Sequence, residues 1–140
     1  DDIQLVFSAH GTPERLVKKK DPYSGQIKKT VECVMEERNF SHAHHLCFQS
    51  RVGPVKWLEP STADTIESLA GKNKKQLLLI PVSFVCDHIE TLFELDIEYR
   101  EIAAAAGIEN YVVMQGLNDS KTFIDALKGI VISRMAVPTG

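Results

Sequence analysis

Three glutamates, Glu90, Glu94 and Glu98, recur every four residues in the stretch PVSFVCDHIETLFELDIEY, and His88 stands just ahead of them. On a helix that spacing lines the carboxylates along one stripe. Like charges so placed repel, by roughly 0.2–0.5 kcal/mol per pair in an isolated helix. A chain that accepts two such repulsions in succession can use the carboxylates together, for instance on a divalent cation. The bland alternative is a solvated acidic face. His10, in Ser8-Ala9-His10-Gly11-Thr12-Pro13, is the other candidate. A loop imidazole can accept a proton near neutral pH, although most loop histidines do no chemistry.

Four apolar runs would position these residues. Ile3 to Phe7 reads as a buried strand that enters a Gly/Pro loop at His10. Asp21-Pro22-Tyr23 opens an amphipathic helix with Ile27, Val31, Val34 and Met35 inward, ending near Asn39. His42, His44 and His45 follow in what reads as a solvated loop, before a strand at Leu46 to Ser50. Pro60-Ser61-Thr62 with Asp64 signals the next helix start, and Leu77 to Val82 is the most hydrophobic strand. The acidic helix then buries Leu92, Leu95, Tyr99, Ile102 and Ala103; Cys86 at its border reads as a small buried thiol. Tyr111 to Met114 is a fourth strand, and a last helix turns Phe123, Leu127, Ile130 and Val131 inward.

The fold class is therefore α/β: one domain over residues 1–140, a four-stranded parallel sheet of order 2-1-3-4 with helices on both faces. Ligands of such sheets bind beyond the carboxyl ends of the strands, where the winding reverses. That places His10 and the His88–Glu90 segment at one cleft, with Gln49, Ser50 and Trp57 approaching from the second strand. An imidazole and a carboxylate there can hold a divalent ion such as Fe²⁺ weakly and transiently. No G-x-G-x-x-G, Walker-type or G-x-S-x-G sequence is present, which argues against a nucleotide cofactor and a serine nucleophile. A net charge of −3 gives no reason to expect nucleic acid, and no run approaches the roughly 18–20 apolar residues of a membrane span. Three widely spaced cysteines without C-x-x-C suit a reducing, cytoplasmic setting. A first residue Asp1 in place of Met suggests a piece of something longer.

Phe7 to Pro13, Asp21-Pro22-Tyr23, QSRVGPVKWL at 49–58, Pro81 to Phe84 and DHIETLFELDIEY at 87–99 together resemble ferrochelatase, in that family's order and over nearly the whole chain. The resemblance implies a Rossmann-like chelatase fold and identifies this chain with the C-terminal half of a two-domain protein whose N-terminal half is missing here. It implies insertion of ferrous iron into a porphyrin, protoporphyrin IX or coproporphyrin III, to form haem with release of two protons. His10 matches the family's active-site histidine and Glu90 the glutamate facing it. Both are implied as catalytic residues and metal ligands, and their division between base and ligand stays open. The preferred assignment makes His10 the base and Glu90 the ligand and proton relay. Asp87 and His88 would support them, Glu94 and Glu98 would extend a path for metal or protons, and Ser8, Gln49, Ser50 and Trp57 would line the porphyrin pocket. The stripe also suits a π-type widening at the start of its helix.

By the same resemblance, Fe²⁺ is a substrate and no cofactor is held tightly. The tail from Arg134 to Gly140 lacks the cysteines with which some members bind a [2Fe–2S] cluster. The partners would be porphyrin, iron and the other half, with peripheral membrane contact through that half and none with nucleic acid. Two alternatives stand beside this reading: a single-domain homodimeric chelatase of the cobalto- or sirohydrochlorin type, and a non-catalytic porphyrin- or haem-binding domain.

Overall fold

The computed structural model describes residues 2–135, so most of the cysteine-free tail, 136–140, lies outside it. Its strands are β1 (Ile3–His10), β2 (His44–Gln49), β3 (Gln76–Pro81) and β4 (Asn110–Val113), all parallel in the order β2-β1-β3-β4. The expected order holds. β1 is central, and residues Gln4 to Ala9 are buried without a break, as a strand covered on both faces requires.

Period-two alternation along β1 sorts the core into two layers. Leu5 and Phe7 meet Val31 and Met35 of α2 (Tyr23–Glu37), which follows the short α1 (Glu14–Lys18). Val6 faces the other way, with Cys47, Leu77 and Leu79, onto Ile66 and Leu69 of α3 (Thr62–Gly71) and Tyr99 and Ala103 of α4 (Tyr99–Ala106). Helix α3 starts as its sequence indicates: the Ser61 side chain accepts a hydrogen bond from the Asp64 N–H at 3.0 Å.

The acidic segment Glu90–Glu98 is a π-helix that runs directly into α4. Leu92 N–H still bonds to the His88 carbonyl four residues back, at 2.8 Å, whereas Tyr99 N–H reaches five back to Glu94. The widening changes which residues point inward. Thr91, Leu95 and Tyr99, spaced by four, are buried, while Leu92, expected inside, is 56% exposed. An α-helical period of 3.6 would have turned Leu92 toward the sheet; the wider turn carries it out.

The last helix, α5 (Lys121–Met135), departs further from expectation, since it buries none of its residues. Leu127, Ile130 and Val131 are exposed because the described chain offers no surface against which their apolar face packs. On the α2 side of the sheet an apolar groove of about 620 Å³ stands open, lined by Ile3, Leu5, Leu78, Ile80 and Val82 among others. Two smaller expectations also change. His44 and His45 belong to β2, where the His45 Nε2 lies 3.0 Å from Gln4 Oε1, so only His42 remains a loop residue. Cys86 is exposed, whereas Cys47 is the buried thiol, its pKa pushed up to about 11 by burial.

Candidate active site

The carboxyl ends of β2, β1 and β3 lie side by side, and each delivers part of one constellation. From β1 comes His10. Its N–H donates to Ser83 Oγ at 2.8 Å, and its carbonyl accepts from the Tyr23 hydroxyl at 2.8 Å. With the backbone pinned on both sides, the imidazole packs edge-on against Phe84, centroids 6.2 Å apart. Phe84 in turn meets the His88 ring at 4.9 Å, so one phenyl separates the two imidazoles.

His88 leads into the π-helix and places Nδ1 2.7 Å from Glu90 Oε2. The ring nitrogen is buried and, though this close, makes no well-formed hydrogen bond with the carboxylate. The Glu90 backbone N–H, followed by His88 and then His10, holds the Glu90 carboxyl below the usual carboxylate range, against a desolvation effect of opposite sign. An ionised carboxylate thus stands in the field of both histidines.

Glu94 sits one turn on in a different environment. Its carboxylate accepts from Ser50 N–H at 2.6 Å, Ser50 Oγ at 2.5 Å, Gln49 Nε2 at 3.1 Å and the Tyr99 hydroxyl at 2.8 Å. Burial, then the bond to Glu94, pushes the Tyr99 phenol far above its usual range, which keeps it a donor. Ser50 reaches Glu94 twice because its backbone is left-handed, φ 61°, a conformation that costs a non-glycine residue about 1–2 kcal/mol.

Asp87 anchors the start of the acidic segment. Its carboxylate accepts from Asn118 Nδ2 at 2.8 Å and Gly116 N–H at 2.9 Å, while its own N–H donates to Asn118 Oδ1 at 2.9 Å. The Asn118 bond first, and the Gly116 bond next, hold this carboxyl below its usual range. Glu98 is exposed at the far end of the stripe.

Ser8 and Gln49 are fully buried behind the helix, where Ser8 Oγ donates to Gln49 Oε1 at 2.8 Å. They reach the constellation through Glu90 and Glu94 and present no surface to a ligand. Trp57 is half-buried on the loop that pairs with the segment after β1: Leu58 N–H bonds to the Thr12 carbonyl at 3.0 Å, and Pro13 bridges to Trp57. Its indole Nε1 is buried with no partner among the described residues. Gly11 permits the close approach of these loops, since a Cβ there would stand 2.6 Å from the Gln49 carbonyl oxygen. Among the described residues no three His, Cys, Asp or Glu side chains cluster closely enough to hold a metal ion.

Tyr23, Ser83, Phe84, Tyr99, Gly116 and Asn118 are the positioning residues that spacing did not single out. Tyr23 was legible only as part of a helix start and Tyr99 only as an inward-facing residue.

In fold, the chain is similar to a solved CbiX protein of Marinobacter aquaeolei VT8 assigned to cobalamin (vitamin B12) biosynthesis, with TM-score 0.64, 14% identity, and 95% of this chain and 97% of that one covered. In sequence it is 50% identical over 138 residues to the ferrochelatase of Gloeobacter violaceus, covering 98% of this chain and 42% of that protein. It is 50% identical over 130 residues to that of Citrifermentans bemidjiense, covering 93% and 41%, and 47% over 132 residues to that of Rickettsia conorii, covering 94% and 38%. The chain thus spans about two fifths of the length of these curated relatives. The ferrochelatase family model matches residues 1–135, and the chain belongs to the ferrochelatase family.

Proposed function

We propose that this chain is the C-terminal half of a ferrochelatase and carries the proton-accepting and iron-coordinating side chains for inserting Fe²⁺ into a porphyrin, protoporphyrin IX or coproporphyrin III. The carrying observation is the convergence of His10, from the end of β1, with the His88–Glu90 pair at the start of the π-helix. Metal entry releases two pyrrole protons, so the site must accept protons and coordinate the incoming ion. His10 is the base, held by Tyr23 and Ser83. Glu90, kept ionised and set against His88, is the transient ligand and onward proton relay. Iron is a substrate here, and the reading requires no resident cofactor.

The rest of the longer protein supplies the other wall of the porphyrin cleft and any membrane contact. The open groove beside α2 and the unburied apolar face of α5 are the surfaces on which it would pack. No helix among the described residues is long and apolar enough to cross a membrane. Against the alternative of a single-domain homodimeric chelatase, relatives about 50% identical extend well beyond this chain, which favours the half-protein reading.

The test is zinc or iron insertion into a porphyrin by the full-length protein and its His10→Ala and Glu90→Gln variants. Both variants should lose turnover by roughly 100-fold or more, the scale of lost general acid–base catalysis. Near-normal turnover in both would refute the assigned roles.

A further inference from the structure

The amide of Gln49, at the last position of β2, has no surface exposure, yet it contacts both of the inner glutamates. Its Nε2 donates to the Glu90 carbonyl at 3.0 Å and to Glu94 Oε2 at 3.1 Å. Those two groups only accept, so the nitrogen must face the helix and the oxygen must face Ser8. Ser8 Oγ supplies the matching donor at 2.8 Å and lies 2.8 Å from Thr62 Oγ1. The two acceptors thus set the amide orientation, and a buried chain of hydroxyls running back to the first residue of α3 satisfies its oxygen.

Glu90 opens the π-helix. In a regular α-helix its carbonyl would take the N–H four residues on, whereas the wider helix pairs groups five apart, as Tyr99 N–H does with Glu94. A side-chain donor inserted from outside at such a carbonyl is one of the recognised causes of a local departure from the α-helical ladder. Gln49 does this at the first π-helical carbonyl and grips the Glu94 carboxylate one turn later, so it bridges the opened turn.

We infer that Gln49 is a positioning residue: its amide braces the first turn of the π-helix and so sets where the Glu90 carboxylate stands relative to His10. It acts through Glu90 and Glu94 and does not touch the porphyrin. The inference rests on the proposed ferrochelatase chemistry for its catalytic consequence, although the brace itself can be observed without turnover.

The experiment compares full-length wild type with Gln49→Met, which keeps length and removes both donors, and Ser8→Ala, which leaves the amide in place but removes the hydroxyl that holds its oxygen. Steady-state zinc insertion and amide hydrogen exchange over residues 90–99 are read together. For Gln49→Met, kcat should fall by roughly 10–100-fold, the usual effect of losing a group that orients a metal-site ligand. Porphyrin KM should stay within about twofold, because a buried amide contributes nothing to porphyrin binding. Exchange across the first π turn should rise by about tenfold or more while the rest of the domain stays protected. Ser8→Ala should move kcat and exchange the same way by less, and it carries the test alone if the methionine variant does not fold. A raised porphyrin KM with kcat preserved would make Gln49 a pocket wall and overturn the inference. Unchanged exchange over residues 90–99 would overturn it whatever the turnover. A wild-type protein that inserts no metal would defeat the ferrochelatase proposal, and the exchange comparison would still decide the brace.

Discussion

Replacing Gly116 by alanine would drive a methyl group into the backbone that begins the acidic segment. The added Cβ would stand 2.8 Å from Asp87 N, 2.9 Å from Asp87 Oδ1 and 2.9 Å from the Cys86 carbonyl carbon. Two of these are backbone atoms that no rotamer change can move. The turn containing Asp87 must shift, and overpacking of this kind costs roughly 1–3 kcal/mol. The shift also stretches the 2.9 Å bond from Gly116 N–H to Asp87. Charge-assisted bonds contribute about 1.5–3 kcal/mol when buried, and for this partly exposed carboxylate about 1 kcal/mol is the appropriate share. The sum is roughly 2–4 kcal/mol, or a fall in Tm of several degrees.

Because Asp87 directly precedes His88, zinc insertion should fall along with stability. Urea unfolding followed by circular dichroism and zinc insertion by porphyrin fluorescence would measure the two effects on the same full-length variant. Gly25→Ala is the control. Nothing lies within 4 Å of its added Cβ and the residue is helical, so it should stabilise by about 0.5–1 kcal/mol with normal turnover. A Gly116→Ala protein as stable and active as wild type would refute the close approach and the anchoring role of Asp87.

Ser50 gives a prediction about strain. Ser50→Ala and Ser50→Gly both lose the hydroxyl bond to Glu94, but only glycine relieves the φ of 61°, so the glycine variant should be the more stable by about 1 kcal/mol; equal urea midpoints would show that no strain is stored there. Asn118→Ala should return the Asp87 pKa upward toward its ordinary 3.8, as measured by carboxylate NMR titration. Asp87 is depressed when folded, so its contribution to stability is present above the unfolded value and is lost as pH falls through the folded one. The Asn118→Ala variant should therefore lose less stability than wild type as pH falls through the acid limb below the unfolded carboxylate value, and an identical acid limb would count against the pairing.

Much of this architecture was legible because unbroken apolar runs separated by amphipathic segments admit few topologies. The strand order and the meeting of His10 with Glu90 follow from that. What escaped has physical causes. The apolar face of α5 repeats at a helical period and reads as inward, but period says nothing about whether the covering surface belongs to the same chain. Leu92 was misplaced because inner faces were read at 3.6 residues per turn along a segment that is wider. The hydrogen bonds from Tyr99 to Glu94 and from Asn118 to Asp87 depend on side-chain geometry across a turn or between loops 31 residues apart, and neither spacing leaves a sequence pattern. Ser50 adopts a left-handed backbone with no glycine to announce it.

The regular spacing of Glu90, Glu94 and Glu98 conceals a difference that only their surroundings supply. Four donors converge on Glu94, from Gln49, Ser50 twice and Tyr99. To coordinate an ion it would have to surrender some of them, at about 1.5–3 kcal/mol for each charge-assisted bond, and leave a buried Tyr99 hydroxyl without its acceptor. Glu90 has one close side-chain partner among the described residues, His88, and their contact is not an aligned hydrogen bond. Glu98 is open to solvent. An ion moving along the stripe would therefore meet a solvated carboxylate, then one already committed to the protein, then one with a single close side-chain partner among the described residues. On the proposed reading the chemistry falls to Glu90, while Glu94 serves first as the acceptor that ties the Ser50 loop to the π-helix.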